Sequence, residues 1–116
     1  MEFATDKPIF RQVADYCVAQ IRAGRWEVEC RIPSTKELAV ELAVNNRTVM
    51  KAYDDLSDAG VIYQRRGLGY YVAPDAPDKI RELYRREFLT SILPPVRLAM
   101  ELAGLTPEEV MELLSK

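Results

Sequence analysis

The chain of 116 residues contains no histidine. Histidine is the commonest general base and metal ligand near neutral pH, so its absence removes the simplest routes to acid–base and metal chemistry. Cys17 and Cys30 are the only cysteines, too few to build a four-ligand structural zinc site from one chain. A reducing compartment would keep both as thiols. Only five glycines are present, and no phosphate-cradling loop or nucleophile–base pair can be picked out. An enzyme is therefore a distant reading, and no metal or cofactor is expected. No run approaches the roughly 20 apolar residues of a spanning helix, so no membrane partner is expected. The first residues lack the basic region and apolar core of a secretory leader, which makes the cytoplasm the expected compartment. An excess of positive charge is missing too: 16 Lys and Arg stand against 18 Asp and Glu, a net charge of −2. That argues against a non-specific nucleic-acid binder and leaves room for a specific one whose basic residues are placed locally.

What is present reads as a short globular protein, 48% hydrophobic and 29% charged. A first helix is expected from about Lys7, with Asp6 as N-cap and Pro8 in the first turn. Ile9, Phe10, Val13, Ala14, Cys17, Val18 and Ile21 give it one apolar face at helical spacing, and Gly24 stops it. Residues 25–32 connect, with Trp26, Val28 and Ile32 as expected buried anchors. The series Ser34-Thr35-Lys36-Glu37 is a capping box that opens a second, short helix carrying Leu38, Ala39 and Leu42 inward. After Ala43-Val44, Asn45 caps a third helix whose inward residues are Val49, Ala52, Tyr53 and Leu56. Two short helices joined so briefly read as a helix-turn-helix. Val61 to Tyr63 and Tyr70 to Val72 then read as strands around a turn of Gln64-Arg65-Arg66-Gly67-Leu68-Gly69, a hairpin. Beyond Pro77 the pattern turns helical, with an interruption expected at Pro94-Pro95 and a last helix capped by Thr106 and Glu109.

The chemistry is concentrated on the polar side of the third helix. Asn46, Arg47, Thr48 and Lys51 fall in its first turn and a half, and Arg47 and Lys51 share a face. An amide, a guanidinium, a hydroxyl and an ammonium at a helix N-terminus suit base edges and phosphates in a major groove. Most polar helix faces are merely solvated. Here a helix-turn precedes the face and a basic hairpin follows it, and that combination points to DNA. Arg65 and Arg66, with Gly67 and Gly69 allowing close backbone approach, suit phosphate or a narrow minor groove. Lys36 sits where the second helix would cross the backbone. Tyr53, Tyr63 and Tyr71 read as core rather than as stacking platforms. The rival reading is a winged-helix module that binds protein.

These residues resemble the GntR family of bacterial transcription regulators across residues 8–72. Pro8-Ile9-Phe10-Arg11-Gln12 is similar to the family's opening, and Ile32-Pro33-Ser34-Thr35-Lys36-Glu37-Leu38-Ala39 to its second block. Val44-Asn45-Asn46-Arg47-Thr48-Val49-Met50-Lys51-Ala52-Tyr53 and Gly67-Leu68-Gly69-Tyr70-Tyr71-Val72 resemble its third helix and wing. Lys36 stands in place of a usual arginine, Glu29 where a glycine is common, and Tyr70 where threonine is frequent. The resemblance implies a mainly α fold with a small β-hairpin: a winged helix-turn-helix over residues 1–74 and a helical dimerisation tail over 75–116. It also implies a homodimer on a palindromic operator of double-stranded DNA. The expected DNA-facing residues are Ser34, Thr35, Lys36, Asn45, Asn46, Arg47, Thr48, Lys51, Arg65, Arg66, Gly67 and Gly69. The short tail resembles the YtrA-like branch, whose members often control transporter operons. Its dimerising residues are expected to be Ile80, Leu83, Tyr84, Phe88, Leu89 and Ile92. The sequence identifies no small-molecule effector.

Overall fold

The computed structural model describes residues 7–116. They fall into two compact units divided between Arg81 and Glu82.

In the first unit, helix α1 (Ile9–Arg22) starts two residues later than the sequence pattern predicts. Pro8 is its N-cap, at φ −55° and ψ 143°, and its carbonyl accepts from the Arg11 and Gln12 amides. The expected cap Asp6 lies outside the described residues. Val13, Ala14, Cys17, Val18 and Ile21 are buried, whereas Ile9 is 47% exposed, because the first turn runs past the end of the core. Helix α2 (Thr35–Leu42) has the full capping box: Ser34 Oγ accepts from the Glu37 amide at 3.1 Å, and Glu37 Oε1 accepts from the Ser34 amide at 3.0 Å. Ala43 turns the chain at φ 55° into helix α3 (Asn46–Asp58), which Asn45 caps through its Oδ1. Helix α3 packs on both α1 and α2. Its buried residues Val49, Ala52, Tyr53 and Leu56 follow the i, i+3, i+4, i+7 rule for one helix face.

Strands β1 (Ile62–Arg65) and β2 (Gly69–Val72) form an antiparallel hairpin with Ile62 opposite Val72, Tyr63 opposite Tyr71 and Arg65 opposite Gly69. The connection after α1 lies along the free edge of β2. The Glu29 amide donates to Val72 O at 2.9 Å, Val72 N to Cys30 O at 3.1 Å, and Ile32 N to Tyr70 O at 2.9 Å. Arg31 bridges Tyr71. This pairing anchors the connection through its backbone, so fewer side chains are needed for the purpose. Ile32 is buried and Trp26 half-buried against the Tyr16 ring, but Val28 is 40% exposed, contrary to expectation.

Helix α4 (Ala76–Glu87) begins two residues before Asp78. Ala76 and Ile80 on its first turns are buried, with Ile80 only 7% exposed. Ile80 therefore belongs to the core of its own chain, which corrects its expected place on a dimer surface. In the second unit, Phe88–Ile92 form a π-helical turn in which the Leu93 amide donates to Phe88 O, five residues back. Pro94 and Pro95 explain its position. They lack the amides that would have bonded Thr90 O and Ser91 O, and their rings crowd those carbonyls, so the backbone widens just before them. Helix α5 (Leu93–Ala103) ends at Gly104, at φ 68°. Helix α6 (Pro107–Leu114) opens on the Thr106–Glu109 capping box. No residue of the π turn, α5 or α6 is buried. Among the described residues, no single helix is long and apolar enough to cross a membrane.

Candidate nucleic-acid interface

The outer face of α3 follows from its inner one. With Val49, Ala52, Tyr53 and Leu56 turned inward, Arg47, Met50, Lys51, Asp54 and Asp58 remain exposed. Tyr53 fixes the angle at which α2 meets α3. It is fully buried, donates from its hydroxyl to Pro33 O at 2.8 Å, and meets the Tyr70 ring edge-on at 4.9 Å. Burial raises the pKa of its phenol, which keeps it a neutral donor. No acidic residue lies in the first turn of α3, so nothing there opposes the positive end of the helix dipole.

The expected contact residues separate into distinct situations. Arg47 is exposed on the outer face near the helix start. Lys51 is exposed but engaged: its Nζ lies 2.9 Å from Asp55 Oδ1 and 5.3 Å from the Phe10 ring centre. The hydrogen bond and charge of Asp55 raise the Lys51 pKa, so the ammonium is fully charged. Thr48 and Asn46 are half-buried. Asn46 Nδ2 lies 3.5 Å from Met50 Sδ, and its Oδ1 is buried with no hydrogen-bond partner among the described residues. Ser34 and Asn45 commit their side-chain oxygens to capping, and Thr35 is half-buried at the first position of α2. Lys36 is exposed on the first turn of α2. The Glu37 carboxyl is held below its usual range, first by the Ser34 backbone amide and then by the Ser34 side chain.

At the wing, Arg66 and Gly67 occupy the hairpin tip and are exposed. Gly67 has φ 76°, and a Cβ there would meet nothing within 4 Å, so backbone conformation alone calls for glycine. Gly69 has a different task. Its φ is 110°, and a Cβ would lie 3.1 Å from Arg31 Nε, so the missing side chain makes room for a neighbouring guanidinium. Arg65 is exposed but folded back over the sheet: its Nη2 donates to Tyr63 Oη at 2.9 Å, and its guanidinium carbon lies 4.4 Å from the Tyr71 ring centre. Tyr63 and Tyr71 stack on each other at 5.9 Å and are half-buried, so they form a platform beneath Arg65, whereas the sequence places them in the core.

Two residues of this surface escaped sequence reasoning. Arg31 reaches the wing only because the connection pairs with β2, a long-range event without a local signature. Met50 is 47% exposed on the outer face of α3 between Arg47 and Lys51, where an apolar group would suit a thymine methyl. Helical spacing from Arg47 could have found it. In the tail, Phe88, Leu89 and Ile92 are each about half exposed, and Leu83 and Tyr84 are half-buried.

Comparison with known proteins agrees with this geometry. Residues 10–72 match the model for "Bacterial regulatory proteins, gntR family". The chain is 31% identical over 113 residues to the HTH-type transcriptional regulator YhcF of Bacillus subtilis, covering 96% of this chain and 90% of that protein. Longer relatives match over 75 and 66 residues, and the chain spans 15% of one and 26% of the other. A crystal structure of a GntR-family regulator from Bacteroides thetaiotaomicron superposes with a TM-score of 0.77 at 33% identity, over 93% of this chain and 94% of that one. The DNA-binding domain of AraR, solved in complex with an operator, matches 63% of this chain and 86% of its own with a TM-score of 0.56 at 32% identity. YtrA from Sulfolobus acidocaldarius shares the fold over 99% of this chain and 93% of its own, with a TM-score of 0.57 at 24% identity. The chain belongs to the GntR family of bacterial transcription regulators, and its α1–β2 region is the family's winged helix-turn-helix DNA-binding domain.

Proposed function

We propose that the protein is a cytoplasmic repressor that binds a palindromic operator as a homodimer, each protomer reading one half-site. In this reading α3 lies in the major groove. Arg47 and Met50 face base edges, Lys36 and Lys51 face phosphate, and Arg66 lies on the flanking backbone. Exposed Arg47 at an N-terminus free of acidic residues is the observation that carries the DNA contact. The homodimer rests on the second unit. Its π turn, α5 and α6 bury no residue, yet Phe88, Leu89, Ile92, Leu98, Leu102 and Leu114 are 47% to 80% exposed. Short helices without a packed face are marginal in water, so this surface calls for a second copy. The tail's resemblance to the YtrA-like branch supports a transporter operon as the target.

Selection of bound sequences from a random DNA pool tests the reading directly. The expected product is an inverted repeat with half-sites about one helical turn apart. Enrichment of no sequence, with a partner protein binding the α3 face instead, would favour a protein-interaction module. Sedimentation of the full chain should give a dimer at micromolar concentration, and a monomer with intact operator binding would remove the tail from the mechanism.

A further inference from the structure

We propose that Glu29 and Tyr63 are positioning residues that hold the Arg65 guanidinium over Tyr71 as a preformed phosphate clamp at the wing. The inference rests on the reading above, that the wing touches DNA.

Side chains two apart on a strand share a face. Tyr63 and Arg65 on β1, Tyr71 and Gly69 on β2, and Arg31 on the paired connection therefore line one side of the sheet, opposite buried Ile62 and Val72, and the Glu29 side chain reaches the same side at Tyr63. On that side a continuous chain of contacts runs from backbone to wing. The Glu29 amide is fixed to Val72 O. Glu29 Oε1 accepts from Tyr63 Oη at 3.1 Å, and Tyr63 Oη accepts from Arg65 Nη2 at 2.9 Å. Successive hydrogen bonds in such a chain polarise one another. Among the described residues that bond is the one side-chain hydrogen bond of Arg65, which leaves the other guanidinium N–H donors for phosphate oxygens. A free arginine loses much rotamer freedom when it grips a phosphate. Arg65, held by Tyr63 and Tyr71, has given up that freedom before binding.

Glu29 bears a cost for its place in the chain. Its backbone stands at φ 67°, in the left-handed region that favours glycine. Glycine would relieve the backbone and lose the carboxylate. This separates a role in the fold from a role in the clamp.

The test is binding of the full-length protein to a mixed-sequence DNA duplex across a salt series, because phosphate contacts do not depend on sequence. Glu29→Gly and Glu29→Gln remove the same charge, and only glutamine keeps the acceptor for Tyr63. Glu29→Gly should therefore bind about three- to tenfold more weakly than Glu29→Gln, the range for one net hydrogen bond, while melting no lower than wild type. Tyr63→Phe keeps the stacked ring and should lose a similar factor, but nothing further in an Arg65→Ala background. Arg65→Ala should lower the salt slope by about one. Equal binding by the two Glu29 variants, or unchanged or tighter binding by Tyr63→Phe, overturns the clamp. A wild-type protein without salt-dependent binding would overturn the DNA reading itself, and the clamp with it.

Discussion

Removing the Tyr53 hydroxyl isolates a single long-range bond on which the recognition unit depends. The ring of Tyr53 is fully buried in α3, and its hydroxyl donates at 2.8 Å to the carbonyl of Pro33, the residue before the Ser34 cap of α2. Tyr53→Phe keeps the ring volume and the edge-on contact with Tyr70, so packing changes little. It leaves the Pro33 carbonyl without its donor. A net hydrogen bond contributes about 0.5–1.5 kcal/mol and an abandoned buried acceptor costs about 1–3 kcal/mol. Pro33 is half-buried, so water can partly replace the lost donor. The expected loss is then roughly 1–2 kcal/mol, which for a domain of this size lowers Tm by roughly 5–15 °C. Urea unfolding followed by Trp26 fluorescence measures the first quantity. Hydrogen exchange at the Glu37 amide, which bonds Ser34 Oγ, tests whether the start of α2 loosens with it. A change below about 0.5 kcal/mol, within ordinary surface-substitution scatter, would refute the idea that this bond ties α2 to α3.

Other expectations follow from the same geometry. Arg47→Ala should cost about 1–3 kcal/mol on the selected operator and less on random DNA, measured by titration at fixed salt. Asp55→Asn frees Lys51 from its ion pair and removes a negative charge beside the groove, so affinity for DNA should rise at low salt, and the gain should shrink as salt screens it. A protein ending at Arg81 should stay folded and sediment as a monomer. One ending at Pro74 lacks buried Ala76 and Ile80, and loss of the isoleucine alone should cost about 1.5–3 kcal/mol in urea unfolding. Cys30 is exposed, whereas burial pushes the Cys17 thiol up to about 12. Iodoacetamide should label one site in the native protein and two in urea, by mass. Because native Cys17 holds its proton above the unfolded thiol value, the folded state binds more protons there, and stability should fall as pH rises from about 9 towards 12.

Features decided within about four residues were legible in the sequence. The capping boxes at Ser34–Glu37 and Thr106–Glu109, the Asn45 cap and the inward stripe of α3 each depend on neighbours along one helix, and each stands where the pattern put it. The winged-helix architecture followed because several such signals occur in order. Other features needed contacts between segments far apart in the chain. Helical spacing alone cannot say where a core ends, so Ile9 was expected inside and is exposed, while Ile80 was expected on a free face and is buried. The prolines at 94 and 95 signalled an interruption, but its form as a π turn upstream of them depends on which carbonyls they leave without donors. The platform under Arg65 exists because residues 29–32 pair with β2. That pairing, formed by backbone groups that every residue carries, brings Glu29 to Tyr63 across 34 positions of sequence and Arg31 to Gly69. Side-chain identity therefore determined which elements form and which face of α3 is polar. Tertiary structure decided how basic residues such as Arg65 and Arg31 are held at the wing, because backbone pairing between distant segments leaves no pattern in the sequence.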